Sequence, residues 1–248
     1  MRFLSSLLTI AAMLAQGAGC DGGQRVRVAV LGFVADTQTE DDALERDGPD
    51  DEIFTVTTVT TSANGETPQV VPYRSATFGC ARDRPGRIAV GSNDRGVASH
   101  SEFPPKPWAQ VPADKYPSLP MVIFDGQISG DTNVTIAPTI WEWDGTGSAP
   151  SRFIEGVGAQ ASKDPVDIAG TKIRFDLKGL LGHAEDRPIG IHDGAFTPKT
   201  ITINSKSLKS LLDAKFAGHA GVHVIEYRDD AEIGGGTYRI FLSVTAVE

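Results

Sequence analysis

Only two cysteines occur in 248 residues, so no disulfide framework can stand in for a hydrophobic core. Basic residues are also in the minority: 23 lysines and arginines face 32 aspartates and glutamates, giving a net charge of −9. That balance excludes the basic patches that displace counterions from nucleic acid, and it disfavours direct binding to an anionic membrane. After the N-terminal stretch, no segment reaches the roughly 20 apolar residues of a membrane-spanning helix. A Gly-x-Ser-x-Gly elbow is lacking, and no glycine loop follows a strand and opens a helix to cradle phosphate. Gly234-Gly235-Gly236 lies between two strand patterns and reads as a hairpin turn. Long helices are excluded by 27 glycines and 15 prolines, which suit short strands joined by turns. With 40% apolar and 22% charged residues, the chain can still bury an ordinary globular core.

What the chain does carry begins at its N-terminus. Arg2 precedes an apolar run from Phe3 to Leu14, which ends in Ala15-Gln16-Gly17-Ala18-Gly19. The run is too short to span a bilayer, and small residues close it, so residues 1–19 read as a secretory signal. Gly17-Ala18-Gly19-Cys20 resembles the lipobox of bacterial lipoproteins, although Gly17 stands where that family usually has leucine. The resemblance implies a diacylated Cys20 as the new N-terminus and a membrane partner held through that lipid. Residues 20–24 then form a flexible polar tether. The alternative is ordinary cleavage and a secreted or periplasmic protein, with Cys20 free to pair with Cys80 in an oxidising compartment.

Residues 25–248 read as one antiparallel β-sandwich, all-β, with long decorated loops and a loop insertion near 145–185. Residues 25–35 alternate polar and apolar and then turn wholly apolar, while 53–61 are too rich in β-branched residues for a helix. Asn64-Gly65 supplies a turn. Further strands are expected over 68–78, 87–91, 120–125, 134–143, 171–177, 199–204, 222–228 and 237–247. One short amphipathic helix is expected over 207–216, with Leu208, Leu211, Leu212 and Phe216 on one face. Residues 151–162 suggest another turn or two. Phe103-Pro104-Pro105-Lys106-Pro107-Trp108 is expected to be extended or polyproline-like.

The most unusual segment lies between the first two strands: Asp36, Glu40, Asp41, Asp42, Glu45, Asp47, Asp50, Asp51 and Glu52, relieved only by Arg46. Crowded carboxylates repel unless solvated or neutralised, and Asp-rich loops with a turning glycine suit the many oxygen ligands of calcium. Asp47-Gly48-Pro49-Asp50-Asp51-Glu52-Ile53-Phe54, Ile140-Trp141-Glu142-Trp143-Asp144 and Glu185-Asp186-Arg187-Pro188-Ile189-Gly190 are three islands in order. They resemble the calcium loops of the phospholipid-binding β-sandwich modules of synaptotagmin and protein kinase C. The resemblance implies calcium held by Asp36, Asp47 or Asp51, Asp144 and Asp186. It is incomplete: Glu52 replaces a proline, and no second aspartate follows Asp144 at two residues.

Other constellations are weaker. His219 and His223 would share a strand face, but no third zinc ligand lies near them in sequence. Glu142, Asp144, Glu155 and Glu226 could be combined into a glycosidase pair, with Trp108, Trp141 and Trp143 as sugar platforms. Trp141 and Trp143, two apart, share one sheet face and read first as packing residues. The sequence thus supports an exported, lipid-anchored sandwich with a structural or recognition role and an unspecified protein or polymer partner. A secreted hydrolase of carbohydrate or another extracellular polymer is the alternative.

Overall fold

A computed structural model of the chain describes residues 23–39, 51–79, 87–89, 96–109, 118–143, 148–174 and 186–248. Its strands are β1 (Gln24–Thr37), β2 (Ile53–Ser62), β3 (Gln69–Arg74), β4 (Thr77–Gly79), β5 (Arg87–Ala89), β6 (Ser101–Phe103), β7 (Met121–Ile128) and β8 (Asn133–Glu142). After these come helix α1 (Ala149–Ala161), the short strands β9 (Ile173–Arg174), β10 (Arg187–Pro188), β11 (Ile191–His192) and β12 (Ala195–Phe196), and β13 (Ile201–Ile203). Helix α2 (Leu208–Asp213), β14 (Lys215–Phe216), β15 (His219–Ala220), β16 (Val222–Arg228) and β17 (Thr237–Ala246) complete the chain.

Two mainly antiparallel sheets face each other, as the alternating patterns require, and the short pair β4–β5 at the edge of the second is parallel. In the first, β17 lies between β16 and β1, and the other edge of β1 is shared by β7 along its first half and β6 near its end. In the second, β2 pairs with β8 over the whole of Ile53–Ser62, flanked by β3 and β4 on one side and by β13 and β10 on the other. Inward side chains from both sheets (Val26, Val28, Phe33, Ile240 and Leu242 against Ile53, Val59, Ile136 and Ile140) form one continuous core. The sandwich predicted from the sequence is the fold observed.

The wholly apolar end of the first strand pattern has a specific cause. A bulge between Val30 and Gly32 moves the inward set of β1 from Val26, Val28 and Val30 to Phe33 and Ala35. Ala29, Leu31 and Val34 face the opposite way, where Trp108, Phe216 and Phe241 cover them with ring centroids 5.2–5.4 Å apart. Both faces of β1 are therefore buried from Val28 to Ala35. Gly32 is required at the bulge because a Cβ there would stand 2.1 Å from the Phe103 carbonyl oxygen on β6.

Several boundaries differ from those read in the sequence. The expected strand 68–78 is broken at Ser75, whose hydroxyl accepts from the Thr55 amide at 2.9 Å in place of the ladder. The expected turn or two near 151–162 is a 13-residue helix, and it packs on the outer face of the second sheet through Phe153 and Val157. The expected helix 207–216 stops at Asp213, after which Lys215–Phe216 turns into a small hairpin. The proline-rich stretch ends in a 3₁₀ turn at Pro107–Ala109. Only Ile173–Arg174 of the strand expected over 171–177 is strand among the described residues. The glycine triplet closes a longer connection than a tight hairpin, since Arg228 pairs with Thr237 and a 3₁₀ turn intervenes.

Candidate functional site: a buried carboxylate network between the sheets

At one end of the sandwich the inward register places charge where the core would otherwise continue. Asp51 lies two residues before Ile53 and shares its face of β2, and Glu142 is paired in register with both Ile53 and Arg187. From the opposite sheet, Tyr238 is the first inward residue of β17, ahead of Ile240, Leu242 and Val244. Thr39 follows β1, and Asp229 follows β16. All six side chains are buried: Thr39, Asp51 and Glu142 are 1% exposed, Arg187 and Asp229 2%, and Tyr238 0%.

Burial of charge is tolerable only when the charged atoms find partners, and the bonds here run from sheet to sheet. Tyr238 donates its phenolic proton to Asp51 Oδ2. The Thr39 amide donates to the same oxygen at 2.9 Å. The Thr39 hydroxyl lies 2.9 Å from Asp51 Oδ1 and 2.8 Å from Glu142 Oε1. Arg187 extends Nη2 to Glu142 Oε2 and Nη1 to Asp229 Oδ2, the latter at 2.8 Å. The second oxygen of Asp229 accepts the amides of Gly190 and Ile191 at 2.6 and 2.9 Å. Gly236 makes room for this arrangement, since a Cβ there would meet Thr39 Cγ2 at 2.6 Å.

The electrostatics follow from that burial. Desolvation pushes the Asp51 carboxyl up to about 6, against the opposing bonds from Tyr238 and Thr39 and the field of Arg187. Desolvation also raises Asp229, with Arg187 and the two amides pulling the other way. Tyr238 is raised well above an ordinary phenol, first by burial and then by the neighbouring Asp51 and Glu142 charges. Of the six, sequence reading names Asp51, Glu142 and Arg187 but pairs none of them, and it misses Thr39, Asp229 and Tyr238. A tyrosine in phase with three inward aliphatics was the available signal, because a buried phenol needs a partner.

The carboxylates expected to share calcium are partly brought together. Asp36, Asp51 and Asp186 lie at the same end of the sandwich, while Asp47 and Asp144 fall outside the described residues, as do Cys20 and Cys80. Asp36 points to the outer face of the first sheet, where Arg239 Nε and Nη2 reach its two oxygens at 2.5 and 2.6 Å. Asp51 faces inward and accepts protein donors at both oxygens. Asp186 is 4% exposed and interacts electrostatically with Arg74, whose guanidinium sits 3.9 Å over the Phe54 ring on the outer face of the second sheet. Asp36 and Asp51 thus present no shared oxygen set, and among the described residues no group of three or more His, Cys, Asp or Glu side chains could hold a metal ion.

The other candidates separate as well. Glu142 is inside the sandwich, Glu155 is exposed on α1, and Glu226 is exposed on the outer face of β16, so no two of these three face one cleft. Trp141 is fully enclosed by Phe54, Phe153 and Phe196, and Trp108 is half-buried against Phe216 and Phe241. His223 is half-buried with Nε2 2.9 Å from the Leu211 carbonyl, its basicity lowered by desolvation, whereas His219 is exposed. Compared with protein-family models, curated proteins and solved structures, the chain finds no match in any of the three.

Proposed function

We propose that the chain is an exported β-sandwich held to the envelope by acylation of Cys20, with a structural or recognition role carried by the end of the sandwich remote from the lipid. The supporting observation is the course of β1. It starts at Gln24, four residues after Cys20, and leads to the buried network at Thr39. Fourteen residues of strand at about 3.3 Å each separate the two ends by about 40–45 Å. Gln24, expected in the tether of residues 20–24, already belongs to β1, which leaves residues 20–23 to reach at most about 14 Å, so the Gln24 end, with Ile128 and Ala246 beside it, stays near the bilayer. The segments 40–50, 144–147 and 175–185 leave from or return to the far end, through Thr39, Asp51, Trp143 and Asp186.

Intact-mass measurement of the membrane fraction tests the anchor. Cys20 is expected to carry a diacylglyceryl group, and Cys20→Ala to move the protein into the soluble fraction. An unmodified Cys20, or a Cys20–Cys80 disulfide, would remove the tether from this reading. Calcium is decided separately, by thermal shift between chelator and millimolar calcium. A raised Tm, reversed by chelator, is the outcome expected if the folded chain alone binds the ion, and an unchanged Tm removes calcium while leaving anchor and orientation standing.

A further inference from the structure

The Thr39 hydroxyl stands within hydrogen-bond distance of two carboxyl oxygens, 2.9 Å from Asp51 Oδ1 and 2.8 Å from Glu142 Oε1, yet it carries one proton. With both carboxyls ionised, one of these contacts would set an oxygen lone pair against a buried anion. With one carboxyl protonated, both contacts are satisfied: that carboxyl donates to Thr39, and Thr39 donates to the other. We propose that Asp51 and Glu142 share a single proton through the Thr39 hydroxyl, and that this proton makes the sheet-to-sheet clasp a pH-sensitive device, closed in acid and loosened as the solution approaches neutrality.

The partners decide where the proton rests. Glu142 Oε2 meets the guanidinium of Arg187, which favours the charged form. Among the described residues no cation touches Asp51; its Oδ2 accepts from Tyr238 and from the Thr39 amide, as a carbonyl oxygen would, leaving Oδ1 to carry the proton toward Thr39. The chain of donors is then Asp51 Oδ1–H to Thr39 Oγ1–H to Glu142 Oε1, and every atom in it has the right number of protons. Arg187 is the cation that meets both Glu142 and Asp229, so ionising Asp51 would add a third buried anion beside that pair. Of the other charges at this end of the sandwich, Arg74 lies over the Phe54 ring on the outer face of the second sheet, and Asp36 and Arg239 pair on the outer face of the first. Burial pushes Asp51 up to about 6, in accord with the proton count.

The sign of the pH effect follows. The unfolded carboxyl ionises near 3.8 and the folded one near 6, so between those values the folded state holds the extra proton. Stability is fully present below the lower value and falls as pH rises to the upper one, with the folding equilibrium constant dropping up to about tenfold per pH unit.

Carboxyl ¹³C NMR titration of the full chain, alongside Tm against pH for wild type and Asp51→Asn, tests the proposal. The substituted amide keeps a carbonyl for Tyr238 and the Thr39 amide and places an N–H toward the Thr39 hydroxyl. The expected result is Asp51, of the pair that meets Thr39, titrating well above the ordinary aspartate range, with Asp229 raised separately by its own burial, and a variant whose Tm falls less steeply than wild type between pH 4 and 6 and exceeds it above pH 7. Ordinary titration of both carboxyls below pH 5 would overturn the shared proton, as would a variant with the wild-type slope. If Asp51→Asn fails to fold, the wild-type NMR titration still decides.

Discussion

Replacing Arg187 by methionine should cost about 3–5 kcal/mol at neutral pH, seen as a fall in the urea midpoint at unchanged m-value. The side chain is 3% exposed, and its two nitrogens satisfy carboxylates on different elements, Glu142 on β8 and Asp229 after β16. Methionine fills the volume but leaves two buried anions without their cation, and desolvation rather than lost attraction sets the size of the effect. The loss should shrink as pH falls, because Asp229, already raised by burial and held down by Arg187, can then take up a proton. Lysine should recover only part of it, since one ammonium cannot span two carboxylates as a planar guanidinium does. Arg239 provides the control. Its pair with Asp36 is about a third exposed, and Arg239→Met should cost under about 1 kcal/mol.

That contrast also explains how much could be read before the fold was known. The sandwich is legible because β2, β8 and β17 carry their β-branched and aromatic residues in phase with the pleat over ten residues each. Helix α1 is under-read because Gly156 and Gly158 depress its propensity, and the stripe Ala149, Phe153, Val157 and Ala161 is helical only once a sheet is there to cover it. The acidic end is legible as an anomaly but not as a network. Arg187 and Asp229 are 42 residues apart, so nothing local marks their pairing, and the charged run between Asp36 and Glu52 draws attention to calcium and away from Tyr238. Asp36 and Asp51 illustrate the loss: both belong to that run, yet the sheet separates them, one to the outer face with Arg239 and one to the inner face with Tyr238.

Trp141→Ala should cost about 3–5 kcal/mol and should release α1 before the rest of the sandwich. The indole is fully buried, stacked 6.3 Å from Phe54 and packed edge-on against Phe153 of α1 at 5.8 Å. Its Nε1 donates to Thr139 Oγ1 at 2.7 Å, and that hydroxyl donates to the Val56 carbonyl at 2.6 Å, so the ring is fixed to the central strands of the second sheet. Alanine removes the surface on which α1 rests, and a 13-residue helix with two interior glycines has little stability of its own. Amide exchange should therefore show α1 losing protection while β1, β17 and β16 keep theirs. Trp143, half-buried at the rim of the same face, should cost under half as much when replaced by alanine. Equal losses at the two positions, or an α1 that stays protected without Trp141, would mean that the helix is held by contacts other than this ring. A ring closed in on this many sides has no face left for a sugar, so a role for Trp141 in carbohydrate binding would require α1 to leave first.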